Sequence, residues 1–187
     1  MSLLTIHPES QPQVAEIVRD HDAISSALRR IGVTFDRCWL TDCPLPPEAD
    51  PDAILEAYRI PIEQLKSAHG FQSADVISVN AAHPHKAELR ANFFNEHVHS
   101  DFEVRCFVEG RGLFYLHPDD RVYVVLCEQG DLISVPVGVK HWFDMGESPY
   151  LKCIRLFTSP EGWVADFTGD EISARFPKLE AYVAHYS

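Results

Sequence analysis

The chain has 187 residues, enough for one domain, and its 45% hydrophobic and 24% charged residues form an ordinary globular balance that excludes disorder over the whole length. A formal charge of −12 has the wrong sign for a duplex-binding or anionic-membrane surface, so neither nucleic acid nor membrane is an expected partner. The opening MSLLTIHPES lacks a basic segment followed by an apolar run, and no apolar stretch approaches the roughly 20 residues that span a bilayer, which points to a cytoplasmic location.

Residues 10 to 70 read as helical. Val14, Ile17, Val18, Ile24, Leu28 and Ile31 recur at spacings of mostly three and four, an apolar stripe on a helix or helix pair. Asp20 or Asp22 can cap a helix beginning near Ala23, and Gly32 ends it. Val33 to Leu40 reads as a strand, and Asp42-Cys43-Pro44-Leu45-Pro46-Pro47 as a loop. Short helices are predicted over Asp52 to Tyr58 and Ile62 to His69, separated at Pro61, with Gly70 as the stop.

From residue 74 the texture changes. Strands are predicted at Asp75–Asn80, Phe93–His99, Glu103–Val108, Gly112–Leu116, Arg121–Leu126, Asp131–Val135, His141–Asp144 and Leu151–Phe157. Turns such as Glu109-Gly110-Arg111-Gly112 and Glu128-Gln129-Gly130-Asp131 divide many of them. This succession without intervening helices argues an antiparallel sandwich or barrel. The tail from Asp170 to Ser187 has room for a short helix. The whole is read as a single domain over 1–187, with a helical segment over 1–70 packed on a barrel core over 74–160.

Five cysteines, Cys38, Cys43, Cys106, Cys127 and Cys153, match no zinc ribbon or CxxC spacing and are expected as reduced thiols. Cys38 with Cys43 could alternatively supply half a zinc site. His83 and His85 form a His-x-His around Pro84, but no acid follows at a useful distance, so a surface loop is expected.

The chemistry concentrates in Glu96-His97-Val98-His99-Ser100-Asp101-Phe102-Glu103. His97, His99 and Glu103 share one parity, as do Asp101 and Arg105, so on a strand all face one side. Imidazole nitrogen with carboxylate oxygen suits divalent iron, nickel, manganese or zinc, and burying such a cluster without a metal would be costly. In Gly130-Asp131-Leu132-Ile133-Ser134-Val135-Pro136-Val137-Gly138-Val139-Lys140-His141, a tight turn at Pro136 and Gly138 returns His141 beside the first strand as a fourth ligand.

These segments resemble the two motifs of the cupin superfamily. His97, His99, Glu103 and Gly110 fit the first; Gly130, Pro136, Gly138 and His141 fit the second. Ala91 and Met145 replace the glycine and asparagine usual at the motif edges. The implied fold is mainly β, a cupin (double-stranded β-helix, jelly-roll) barrel with an N-terminal helical segment. The ligand set alone leaves a dioxygenase, a sugar-phosphate isomerase, an oxalate-type enzyme or a non-catalytic small-molecule-binding cupin open.

The wider sequence is similar to the bacterial acireductone dioxygenases from about Val33 to Pro177, most densely from His97 to Asp170, through Asp101 to Arg105, Lys140 to Gly146, Ile154 to Phe157, Gly162-Trp163-Val164 and Phe167 to Asp170. The resemblance implies one Fe(II) or Ni(II) per chain, a monomer, and as substrates O2 and an acireductone, an enediol ketone with a methylthio tail from methionine salvage. It implies formate and a 2-oxo acid with Fe(II), or formate, carbon monoxide and a methylthio carboxylic acid with Ni(II). It further implies His97, His99, Glu103 and His141 as metal ligands and Arg105 as the residue that stabilises the substrate dianion, with a barrel-mouth ion pair as the alternative for Arg105. Phe143, Arg155 and Trp163 are expected as pocket wall, with core packing as the alternative. Glu96 is implied in metal loading and Phe102 in relaying local changes, both indirectly because their parity is opposite to that of the ligands. Asp101 is expected to accept a hydrogen bond from a ligand histidine or to end a turn.

Overall fold

The computed structural model describes residues 1–38, 46, 49–159 and 164–187. Its spine is β6 (Glu103–Leu116), a strand long enough to serve two sheets. The first part of β6 pairs antiparallel with β8 (Asp131–Val135) and β10 (Tyr150–Phe157). The second part pairs with β7 (Arg121–Glu128) and β9 (His141–Asp144). Beyond β10 lies β4 (Ser73–Asn80), and beyond β8 lies β3 (Thr34–Arg37). The other sheet runs β11 (Asp166–Phe167), β5 (His97–Val98), β9, β6, β7, β1 (Leu3–Pro8) and β2 (Glu16–Val18). The architecture is the mainly β cupin jelly roll, left unclosed.

Side-chain alternation along β6 builds the layers. Phe107 points inward to a core with Phe114, Phe143, Ile133, Val125 and Leu4. Val104, Cys106 and Val108 point outward and are covered by Ile54 of α2 (Pro51–Ala57), by Tyr58, and by Ile62 of α3 (Arg59–His69). Leu113 and Tyr115 pack with Trp142 against Leu179 and Tyr182 of α5 (Leu179–Tyr186). Each such large apolar side chain contributes roughly 1.5–3 kcal/mol on full burial. The bend that hands β6 from one sheet to the other lies at Gly110, with φ 74°, where an added Cβ would lie 1.7 Å from the Tyr150 carbonyl oxygen. At Gly112 an added Cβ would lie 2.1 Å from the Phe143 ring.

Several predicted elements are corrected. The stripe through Val14, Ile17 and Val18 is not helical: Glu16–Val18 is β2, paired with β1. The helix is α1 (His21–Arg29), capped by Asp20, whose carboxylate accepts from Ala23 N at 2.9 Å, and it buries Ile24 and Leu28. The N-terminal part is thus a mixture of helices and strands, because β1 satisfies its backbone on β7 over Leu3↔Leu126 to Pro8↔Arg121. Pro61 sits inside the first turn of α3, where its missing N–H costs nothing, and the helix break falls at Tyr58. Gly70 caps α3 with φ 76°. Phe93–His99 is not one strand: α4 (Lys86–Phe94) runs to Phe94, and β5 is confined to His97–Val98. Glu103–Val108 and Gly112–Leu116 are a single strand.

The reduced-thiol expectation is also corrected. Cys38 and Cys106 form a disulfide with Cα atoms 5.8 Å apart; sheet register brings together residues 68 apart in sequence. Cys127 and Cys153 are free and buried. Cys43, the loop around it apart from Pro46, and the end of the predicted strand at Leu40 lie outside the described residues. His83 and His85 lie in the loop before α4, partly and largely exposed.

Candidate metal centre

β5, β6 and β9 bring the four predicted ligands to one place. His97 pairs directly with His141 across β5 and β9, and Glu103 opens β6. His99 is carried on the short connection after β5, where its carbonyl accepts from Gly138 N in the Pro136–Gly138 turn at 3.1 Å. One donor atom from each of His97, His99, Glu103 and His141 lies within 4.8 Å of every other, and all four residues are buried. The imidazole centroids stand 4.5 Å (His97–His141), 4.9 Å (His97–His99) and 5.2 Å (His99–His141) apart.

The far side of each ring is held by the backbone. Nδ1 donates to the carbonyl of Asn95 from His97 (2.7 Å), of Val164 from His99 (2.9 Å) and of Val139 from His141 (2.7 Å). With Nδ1 carrying the proton, a neutral ring presents a lone pair at Nε2. The Nε2 atoms of His99 and His141 both lie 3.0 Å from Glu103 Oε2. Without an ion, a second proton on an imidazole can bridge Nε2 and Glu103; with the rings neutral, lone pairs and a carboxylate converge in a buried volume, and a divalent cation takes the place of that proton. The donor set therefore fits a metal.

The electrostatics follow from burial and pairing. Burial, reinforced by the neighbouring His141, pushes His97 down to about 4. Burial also opposes charge on His99, but the hydrogen bond and charge of Glu103 outweigh it and raise His99. For Glu103, burial acts upward and is overcome by the Arg105 charge and by hydrogen bonds from His141 and His99, which hold the carboxyl well below its usual range.

Arg105 takes the other Glu103 oxygen, with Nε to Oε1 at 2.7 Å. Its guanidinium lies over the rings of Phe143 (4.6 Å), Phe114 (5.3 Å) and Phe93 (5.4 Å). The predicted inward parity of Arg105 is observed, and Phe143 lies both against its guanidinium and in the central core. Arg155 stands opposite Arg105 in the β6–β10 register but is paired with Asp75 at 2.8 and 2.6 Å. Trp163 lies outside the described residues.

Asp101 does not accept from a ligand histidine. Its carboxylate accepts from Thr158 N (2.9 Å), Thr158 Oγ1 (2.5 Å) and Phe102 N (2.7 Å), tying the loop before β6 to the end of β10. That loop interrupts strand parity, so Asp101 does not stack with the ligands. Glu96 turns away from the centre into a buried bond with His117 Nδ1 (2.6 Å) and another with Thr168 Oγ1 (2.7 Å). Phe102 is 43% exposed on the outer face. Sequence reading did not single out the carbonyls of Asn95, Val139 and Val164, because any residue supplies a carbonyl. It also did not single out Phe93, read as strand, or His117, which belongs to no motif.

Residues 10–165 match the model of the ARD/ARD' family. The chain is 62% identical to an acireductone dioxygenase of Methylococcus capsulatus over 100% of both chains. It is 52% identical to that of Aquifex aeolicus over 98% of this chain and 99% of that one. Among solved structures, an acireductone dioxygenase from Bacillus anthracis with a cadmium ion in its active centre superposes with a TM-score of 0.78 at 31% identity, covering 89% of this chain and 98% of that one.

Proposed function

The chain belongs to the ARD/ARD' family, and from that premise we propose that it uses one Fe(II) or Ni(II) ion, held by His97, His99, Glu103 and His141, to cleave an acireductone with O2. The activity is that of an acireductone dioxygenase, which sets aside the isomerase and the turnover-free cupin as readings of the same motifs. The observation that carries the site assignment is the convergence of four buried donor atoms whose histidine Nδ1 positions are all committed to backbone carbonyls.

His97, His99, Glu103 and His141 would hold the metal, which when bound would supply Lewis acidity toward substrate oxygens. The protein's part is orientation and charge. The three carbonyls hold the imidazoles with Nε2 inward. Glu103 turns one oxygen to the histidines and the other to Arg105, so the guanidinium is aimed beside the ligand set. There Arg105 would offset part of the negative charge of an enediolate. Phe93, Phe114 and Phe143 surround that guanidinium and keep water off it, and a charge acts more strongly where water is excluded.

We also propose Phe143, at the Arg105 guanidinium, and Arg155, opposite Arg105 in the strand register, as wall around the reacting centre; the same expectation for Trp163 falls outside the described residues. Products would follow the metal: formate and a 2-oxo acid with Fe(II), carbon monoxide among the products with Ni(II). We further propose that the chain works as a single-domain monomer in the cytoplasm; among the described residues no helix is long and apolar enough to cross a membrane. The test is elemental analysis of protein purified without added metal, then oxygen uptake with an acireductone by the apo, iron-loaded and nickel-loaded forms. Bound iron or nickel near one per chain with metal-dependent uptake is expected. A metal-free protein that consumes oxygen normally would end the proposal.

A further inference from the structure

Helix α4 is held against the barrel in an unusual way. Its side chains are at most partly buried, so apolar burial anchors it weakly. Two rows at i, i+4 spacing touch the rest of the molecule. Leu89 and Phe93 lean on the central core, and Phe94 leans edge-on against Tyr115 at 6.2 Å. Between them Arg90 reaches the end of β9, donating from Nε and Nη2 to the two oxygens of Asp144 at 2.6 and 2.9 Å. Asp144 is fully buried and also accepts from Gly146 N (3.0 Å) and from Leu179 N at the start of α5 (2.8 Å). Arg90 Nη2 adds a bond to Glu180 Oε2 at 3.1 Å. The bidentate fork fixes direction as well as distance.

Two functional groups hang from the end of α4. Phe93 lies over the Arg105 guanidinium, and Asn95, the next residue but one, supplies the carbonyl that orients His97. Asp144 stands at the far end of the strand that begins with the ligand His141. A shift of α4 would therefore move the ring on Arg105 relative to the metal ligands on β6 and β9.

We infer that Arg90, through its bidentate bond to Asp144, is a positioning residue: it locks α4 to the His141 strand and so sets where Phe93 holds Arg105 over the substrate. This rests on the reading of Arg105 given above. Arg90 touches no reacting atom, and its effect is on how the substrate is received rather than on holding the ion.

Removing Arg90 alone would strand a buried carboxylate, so the informative variant neutralises both partners, Arg90→Met with Asp144→Asn. Metal-loaded enzyme is measured for metal content, folded fraction, KM and kcat with an acireductone, beside the parent and Arg105→Ala. The expected result is parental metal content in the folded protein with KM raised about tenfold, since small misplacements cost that much or more. An unchanged KM, with kcat falling only as far as folded fraction or metal content falls, would make Arg90 a plain structural tie and overturn the inference. An Arg105→Ala enzyme with parental KM and kcat would instead remove the reading of Arg105, and the inference with it. Turnover lost in Arg105→Ala but parental constants in the double variant would overturn the inference alone.

Discussion

Glu103 and Asp144 are both carboxylates shut away from water, 1% and 0% exposed, yet their surroundings differ in kind. Asp144 is met on both oxygens by donors: the Arg90 fork, Gly146 N and Leu179 N. Burial alone would raise its pKa, but those bonds prevail and keep it lowered. Nothing further is needed there, and the result is a joint between α4, β9 and α5. Glu103 has a permanently charged donor on one oxygen, from Arg105. Its other oxygen faces imidazole nitrogens that donate only when a ring carries a second proton, because each Nδ1 proton is already committed to a backbone carbonyl. The lesson concerns donors and acceptors: a complete set makes a structural tie, while acceptors converging on acceptors mark a place for a cation.

Breaking the incomplete cluster should have the largest effect. His141→Ala is expected to weaken metal binding by more than about 100-fold and to abolish turnover, because a direct ligand matters more than its outer partners. Metal titration of the purified variant checks this, and retention of parental affinity would break the contrast. Breaking the complete cluster should act on folding instead. Asp144→Ala leaves a mostly buried guanidinium without its carboxylate and is expected to cost about 3 kcal/mol of stability. Denaturant unfolding reads it, and metal content per folded chain should stay parental.

Arg105→Ala sharpens the comparison from within the site. Turnover should fall about 100-fold while the ion is kept, as when one charge-stabilising group is lost. Loss of metal along with turnover would make Arg105 a support for Glu103 rather than a substrate residue. Smallest is Asp20→Ala at the start of α1, remote from both clusters. It should cost about 1 kcal/mol in thermal or denaturant unfolding and leave metal content and KM untouched.

Local signals carried the sequence reading far. The His-x-His and Glu spacing, with a second motif ending at His141, named the four groups that meet in space. The bounds of β8 and β9, the Gly70 stop and a helix in the tail were legible too, because turn chemistry and side-chain period are set by residues a few positions apart. Other features depend on register between strands far apart in the chain, which no short window contains. Residues 14 to 18 lost their helical stripe because β1 was available to pair with β2. Cys38 found Cys106 only after β3 and β6 were both laid beside β8. Asp101 kept its parity on paper but met Thr158, since the chain leaves the strand between Val98 and Glu103. The sequence by itself determined which atoms could bind a metal. Only the tertiary structure decided what stands behind each of them, since a carbonyl or a buried ion pair takes its role from its neighbours and not from its residue type.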